Sequence, residues 1–139
     1  MIEWESGLKD AEQALDWCLD TYGFSKHQED VPWLDFSEDD LGMMGEYIAD
    51  ENSLIIYPNH IHTYDDLIET VIHEYQHYLQ SPTWMERYYN MGYDYQTHPY
   101  EVQAEKVVLV RAYEHQYPHV LRSETQIFEL DQNEATRLW

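Results

Sequence analysis

The stretch from Thr63 to Pro82 constrains the fold more than any other part of this chain. Tyr64, Leu67, Ile68, Val71, Ile72, Tyr75, Tyr78 and Leu79 recur at three- and four-residue spacings. That is the period of an amphipathic helix with a wide apolar stripe, which has to be buried. Thr63 is placed to cap its start, and Asp66 three residues on completes a partial capping box. The helix is expected to reach about Gln80 and to stop before Pro82.

Other elements arrange themselves around that helix. Residues 7–22 read as an amphipathic helix ended by Gly23, and residues 24–44, polar and carrying Val31-Pro32-Trp33, read as a connection. Residues 45–49 and 53–57 read as two strands joined by a turn at Asp50-Glu51-Asn52, with Pro58 ending the second. The Tyr-rich stretch 84–97 reads as partly helical. Pro99 opens a further helix to about Gln116, and 120–138 is expected to be helical too. No repeat, low-complexity run or linker interrupts the chain, so residues 1–139 read as one α+β domain with a small antiparallel sheet, long enough to bury a real core.

Composition excludes several partners. Seven Lys+Arg stand against 28 Asp+Glu, a formal net charge of −21. Such a chain lacks the basic footprint that neutralises nucleic-acid phosphates, and anionic membranes should repel it. The acidic residues are scattered, which favours a solubilising surface over salt adaptation or mimicry of DNA charge. Hydrophobic residues make up 43%, too many for a disordered acidic tail. The single cysteine, Cys18, forbids an internal disulfide and falls in a helical pattern with Leu8, Ala11, Leu15 and Tyr22, so a buried thiol is expected. No leader pattern, pro-segment or membrane-spanning run is visible, and the expected location is cytoplasmic. The oligomeric state is left open, with a monomer as the default.

The chemistry sits on the Thr63–Gln80 helix, in His73-Glu74-Tyr75-Gln76-His77. Histidines four apart project from one helical face about a turn apart, so both imidazoles can meet one zinc ion. Glu74 stands beside them as a general base for a water. In a chain this rich in His and Glu the pattern arises by chance about once in twenty. Position sharpens it: both histidines point nearly opposite the apolar stripe, where core histidines would not lie. A third ligand is still needed, because a catalytic zinc takes three protein ligands and keeps one position open. The next helix carries Glu101 and Glu105 one turn apart, on the face of Ala104, Val108 and Ala112. Glu101 is the choice for the ligand, and Glu105 would orient a ligand histidine. His98 remains an alternative third ligand.

His73-Glu74-x-x-His77 followed by Tyr100-Glu101-Val102-Gln103-Ala104-Glu105 resembles the gluzincin clan of zinc metallopeptidases, and its small single-domain members, the minigluzincins, match best in size. The resemblance covers about residues 45–116 and implies a zincin-like fold, with an active-site helix and a glutamate helix. It implies zinc on His73, His77 and Glu101, Glu74 as base, Glu105 supporting a histidine, and a peptide or protein substrate. It also implies an edge strand that pairs with extended substrate, here Ser53, Leu54, Ile55, Ile56 and Tyr57. Thermolysin-like enzymes have Asn before the ligand glutamate and Asp four after it, whereas this chain has Tyr100 and Glu105. Metzincins need Gly and His where this chain has Gln80 and Thr83. A di-iron carboxylate bundle needs two Glu-x-x-His motifs, and Glu74–His77 is the only one.

The clan also stabilises its oxyanion with a His or Tyr from outside the ligand set. Tyr93, Tyr95, Tyr113, Tyr117, His115 and His119 are the candidates. Trp84 and Tyr88-Tyr89 could wall a cleft, although core packing is the simpler expectation for them. His60 and His62 read as turn histidines before a weak second metal site. The expected activity is zinc-dependent peptide hydrolysis. The alternatives are a non-catalytic acidic interaction or inhibitor protein of the DNA-mimic type, and a regulatory zinc-binding relative of the zincins.

Overall fold

The structure is a computed structural model, and it describes residues 4–38 and 42–107. Four helices and three strands follow in the order α1 (Trp4–Tyr22), β1 (Trp33–Phe36), β2 (Gly45–Ile48), β3 (Ser53–Ile56), α2 (Tyr64–Leu79), α3 (Pro82–Asn90) and α4 (Pro99–Val107). The helices expected beyond Val107 lie outside the described residues.

Helix α2 is the centre of the packing. It contacts α1, α4, β2 and β3, and every residue from Thr70 to Tyr78 is buried. Its apolar stripe meets Ala11, Ala14, Leu15 and Cys18 of α1 and Leu54 and Ile56 of β3 in one core. Cys18 is fully buried, as its helical position implies, and burial pushes its thiol pKa well up, so it is an unreactive packing group. Thr63 caps α2 through a hydrogen bond that its side-chain oxygen accepts from the Asp66 N–H at 3.0 Å. The far end closes at Gln80, and Ser81 and Pro82 start α3 at once.

The sheet differs from the expected antiparallel hairpin. It has three strands in the order β1-β3-β2, with β1 parallel and β2 antiparallel to β3. Strand β1 lies inside the stretch expected to be a connection. Pro32 disguised it, but a proline just before an edge strand interrupts no ladder. Leu34 and Phe36 turn toward the core while Trp33 and Asp35 face out. The turn before β3 is a 3₁₀ turn, Ala49–Glu51, closed by Asn52 in the left-handed region at φ 49°. Asn52 suits it because its amide donates to the Asp30 and Val31 carbonyls while its oxygen accepts from the Tyr47 hydroxyl at 2.6 Å.

The third strand corrects an expectation about Ser53, Leu54, Ile55, Ile56 and Tyr57. Ser53–Ile56 is the central strand, paired on both sides, so its backbone has no free edge to offer a peptide. The edge beside the site belongs to β2. Among the described residues no helix is long and apolar enough to cross a membrane.

Candidate metal centre

Helix geometry brings His73 and His77 to one side of α2, and α4 packs against that side. Both histidines are buried there, together with Glu101 from the first turn of α4. The side of α2 opposite its apolar stripe is therefore a second, polar interior.

Three atoms converge in it. His73 Nε2 and His77 Nε2 are 3.3 Å apart, and Glu101 Oε1 lies 3.2 Å from the first and 2.9 Å from the second. The other ring nitrogens are committed elsewhere. His77 Nδ1 is 2.7 Å from Gln80 Oε1. The Gln80 amide nitrogen donates to the Tyr100 carbonyl at 3.2 Å and to Gln103 Oε1 at 3.0 Å, so its oxygen must face the ring. His77 Nδ1 therefore carries a hydrogen. His73 Nδ1 faces Glu105 Oε2 at 3.3 Å, which fixes a hydrogen there too. Each neutral ring then presents a bare Nε2 lone pair to the Glu101 oxygen.

Three lone pairs this close repel unless a cation sits among them. Protons are one solution. Burial alone would lower the pKa of His73, but hydrogen bonds to Glu101 and Glu105 and the nearby Glu74 charge carry it up to about 10. His77 is raised in the same way: burial opposes, and the bond to Glu101 and the charge of Glu74 win. Burial would raise Glu101, yet the two imidazoles hold it at about 2. Glu105, largely exposed to solvent, is lowered by its bond to His73.

A metal ion is the other solution, and the spacing fits one. A tetrahedral ion with bonds of 2.0–2.1 Å sets its ligand atoms about 3.3 Å apart. The three observed separations lie at or just under that value. Imidazole nitrogens and a carboxylate oxygen are also a donor set that zinc accepts.

Glu74 occupies a different place. Its Oε2 is 3.9 Å from His73 Nε2, farther out than Glu101. Among the described residues His73, Glu74 and His77 have ligand-type atoms within 4.8 Å of one another. Glu101 Oε1 nonetheless lies closer to the imidazole nitrogens than Glu74 Oε2 does, so its geometry fits a third ligand position better, with Glu74 beside the cluster. The Glu74 side chain is buried, lines the cleft and has no hydrogen-bond partner among the described residues. Burial raises its pKa against the pull of His77 and His73.

His98 does not join the centre. It is fully buried, its Nδ1 accepts from the Tyr100 N–H at 3.0 Å, and its Nε2 hydrogen goes to the Met85 carbonyl at 2.9 Å. Both nitrogens are spent in capping α4 and tying it to α3, so no lone pair is left for a metal. His62 is exposed, and His60 bonds to Asn59.

The centre opens into a cleft of about 670 Å³. Edge strand β2 contributes Gly45, Glu46 and Tyr47 to its wall. Of the tyrosine candidates, Tyr95 lines the cleft and Tyr93 does not. The candidates at 113, 115, 117 and 119 lie outside the described residues. Tyr89 also lines the cleft, its ring tilted against His98 at 4.4 Å between centroids, whereas Trp84 and Tyr88 do not line it. Gln80 escaped the sequence reading, and its position three residues after His77 at the helix end was the available signal. Comparison with known protein families, curated proteins and solved structures finds no match.

Proposed function

We propose that this protein is a zinc-dependent peptidase of the gluzincin type, with His73, His77 and Glu101 as the metal ligands. The observation that carries the reading is the convergence of two imidazole lone pairs and one carboxylate oxygen, with both Nδ1 hydrogens pinned outward by Glu105 and Gln80. That arrangement selects the tautomer a metal-binding histidine needs. A zinc ion held there would polarise a scissile carbonyl and acidify a water molecule.

The remaining chemistry falls to the chain's own groups. Glu74 has no competing hydrogen bond and stands next to the ligand set, so it can accept the water's proton. Its raised pKa, due first to burial, suits it to pass that proton to the leaving amine nitrogen as the C–N bond breaks. Tyr95, the one described oxyanion candidate of the sequence that lines the cleft, is assigned to donate a hydrogen bond to the developing oxyanion. Burial, with Glu101, Glu74 and Glu105 nearby, raises its hydroxyl to about 12, which keeps it a donor at neutral pH. The edge of β2, unpaired among the described residues, takes over the pairing role with an extended peptide.

Metal analysis of protein purified without added metal should find close to one zinc per chain. Glu74→Gln should keep that zinc and lose about 10²- to 10⁴-fold in peptide turnover. A Glu74→Gln protein with full activity would remove this mechanism. A chain without zinc that binds a DNA-binding protein tightly would point instead to a non-catalytic acidic inhibitor.

A further inference from the structure

The two ends of the cleft differ in chemistry. Around the first half of α2 its wall carries Asp66 and Glu69 beside Met43 and Met44, and β2 adds Glu46, which accepts from the Tyr57 hydroxyl at 2.6 Å. Beyond His77 the wall is neutral, with Met85, Tyr89 and Tyr95. Glu74, Glu101 and Glu105 bring the lining to six carboxylates, and among the described lining residues there is no Lys or Arg. A divalent ion at the centre would offset only two of these charges. The acidic end is also crowded: burial, then Asp65, Asp66 and Glu105, raises the Glu69 carboxyl to about 7. A like-charged group without a cation nearby is relieved by any cation that enters. The Glu74 side chain, buried and lining the cleft, also has no hydrogen-bond donor among the described residues and only a long 3.9 Å approach to His73, which leaves its carboxylate open to an incoming group.

We propose that the cleft selects peptides carrying a Lys or Arg side chain on one side of the bond presented at the centre and an aromatic or long apolar side chain on the other. The cationic side chain lies against Glu69 and Asp66, four and seven residues before His73 on α2, within reach of an extended lysine or arginine. The apolar side chain packs on Met85, Tyr89 and Tyr95. This substrate class rests on the peptidase reading for its chemistry, but selective binding by the cleft can be measured without turnover.

The test uses full-length, zinc-loaded protein and internally quenched peptides that differ only in Lys, Ala or Glu on one side of an aromatic residue. Turnover is measured on wild-type protein, and binding of the labelled peptides is measured by anisotropy on Glu74→Gln protein. The Lys peptide should exceed the Glu peptide about tenfold or more in both. Glu69→Lys should shrink or reverse that preference. Glu12→Lys, the same charge change on the exposed face of α1, should leave it in place. Glu69→Gln serves as the milder variant should the reversal disturb folding. Cleavage with no charge preference, or a preference that Glu12→Lys alters as much as Glu69→Lys, overturns the substrate class and leaves the peptidase reading standing. Selective binding that Glu69→Lys abolishes, with no cleavage of any peptide, supports the substrate class and removes the peptidase reading. Absence of both cleavage and selective binding overturns both.

Discussion

At the scale of single residues, the centre depends on which nitrogen of each imidazole holds the hydrogen. Gln80 decides this for His77, and Tyr100 and Gln103 decide it for Gln80. Such outer partners commonly contribute tenfold to a hundredfold in metal affinity. Gln80→Ala should therefore weaken zinc binding by about 10- to 100-fold, read by competition with a chromogenic chelator. The fold should survive, because Gln80 sits at a helix end and not in the apolar core. Unchanged zinc affinity would mean that His77 is held by packing alone. His98 teaches the converse lesson. From sequence it competes with Glu101, since a histidine before a helix and a glutamate in its first turn can both reach a metal. Only the structure shows that both of its nitrogens already have backbone partners.

At the scale of elements, the helices were legible because their signals are local. Thr63 with Asp66 and Pro99 mark helix starts that the structure reproduces, and Pro82, read as the stop of α2, also opens α3. The pairing of His73 and His77 follows from helical period alone, and Glu101 follows from the carboxylates on the next amphipathic segment. The sheet was less legible because strand order is a long-range property. Four residues of β1 after a proline carry too little periodicity to announce a strand, and without β1 the strand β3 wrongly keeps a free edge. Edge strand β2 is positioned by close contact at Gly45. A Cβ there would stand 2.6 Å from Thr70 Cγ2 and 2.8 Å from the Ile55 carbonyl oxygen. Gly45→Ala must therefore push β2 away from α2 or from β3, at a cost of about 1–3 kcal/mol. Urea unfolding should show the loss. Adding Thr70→Ser should recover only part of it, since the Ile55 oxygen remains. A fully stable Gly45→Ala protein would mean that β2 does not lie this close to α2.

At the scale of the whole molecule, the formal charge of −21 counts every histidine as neutral, and in the metal-free chain protons on His73 and His77 offset part of it at the centre. That sets how its stability should respond to pH. The His73 imidazole, about 6.5 when unfolded, is carried up to about 10 in the fold, burial opposing and the Glu101 and Glu105 bonds prevailing. A raised histidine pKa contributes stability that is complete below the unfolded value and is lost as pH climbs through the folded one. The metal-free protein should thus lose the stability of this cluster between about pH 6.5 and 10. Zinc works the other way, since it binds the deprotonated rings and must displace their protons, so its affinity rises over the same range. General self-repulsion of the acidic surface acts on both forms and cancels in their difference. The gap in melting temperature between zinc-loaded and chelator-treated protein should therefore widen from pH 6 to pH 9. With free zinc a hundredfold above Kd the gap corresponds to about 2.7 kcal/mol, on the order of 10 °C for a chain of this size. Calorimetric titration with zinc in buffers of different ionisation enthalpy should also show proton release. A gap that narrows with pH, or zinc uptake without proton release, would place the metal away from His73 and His77.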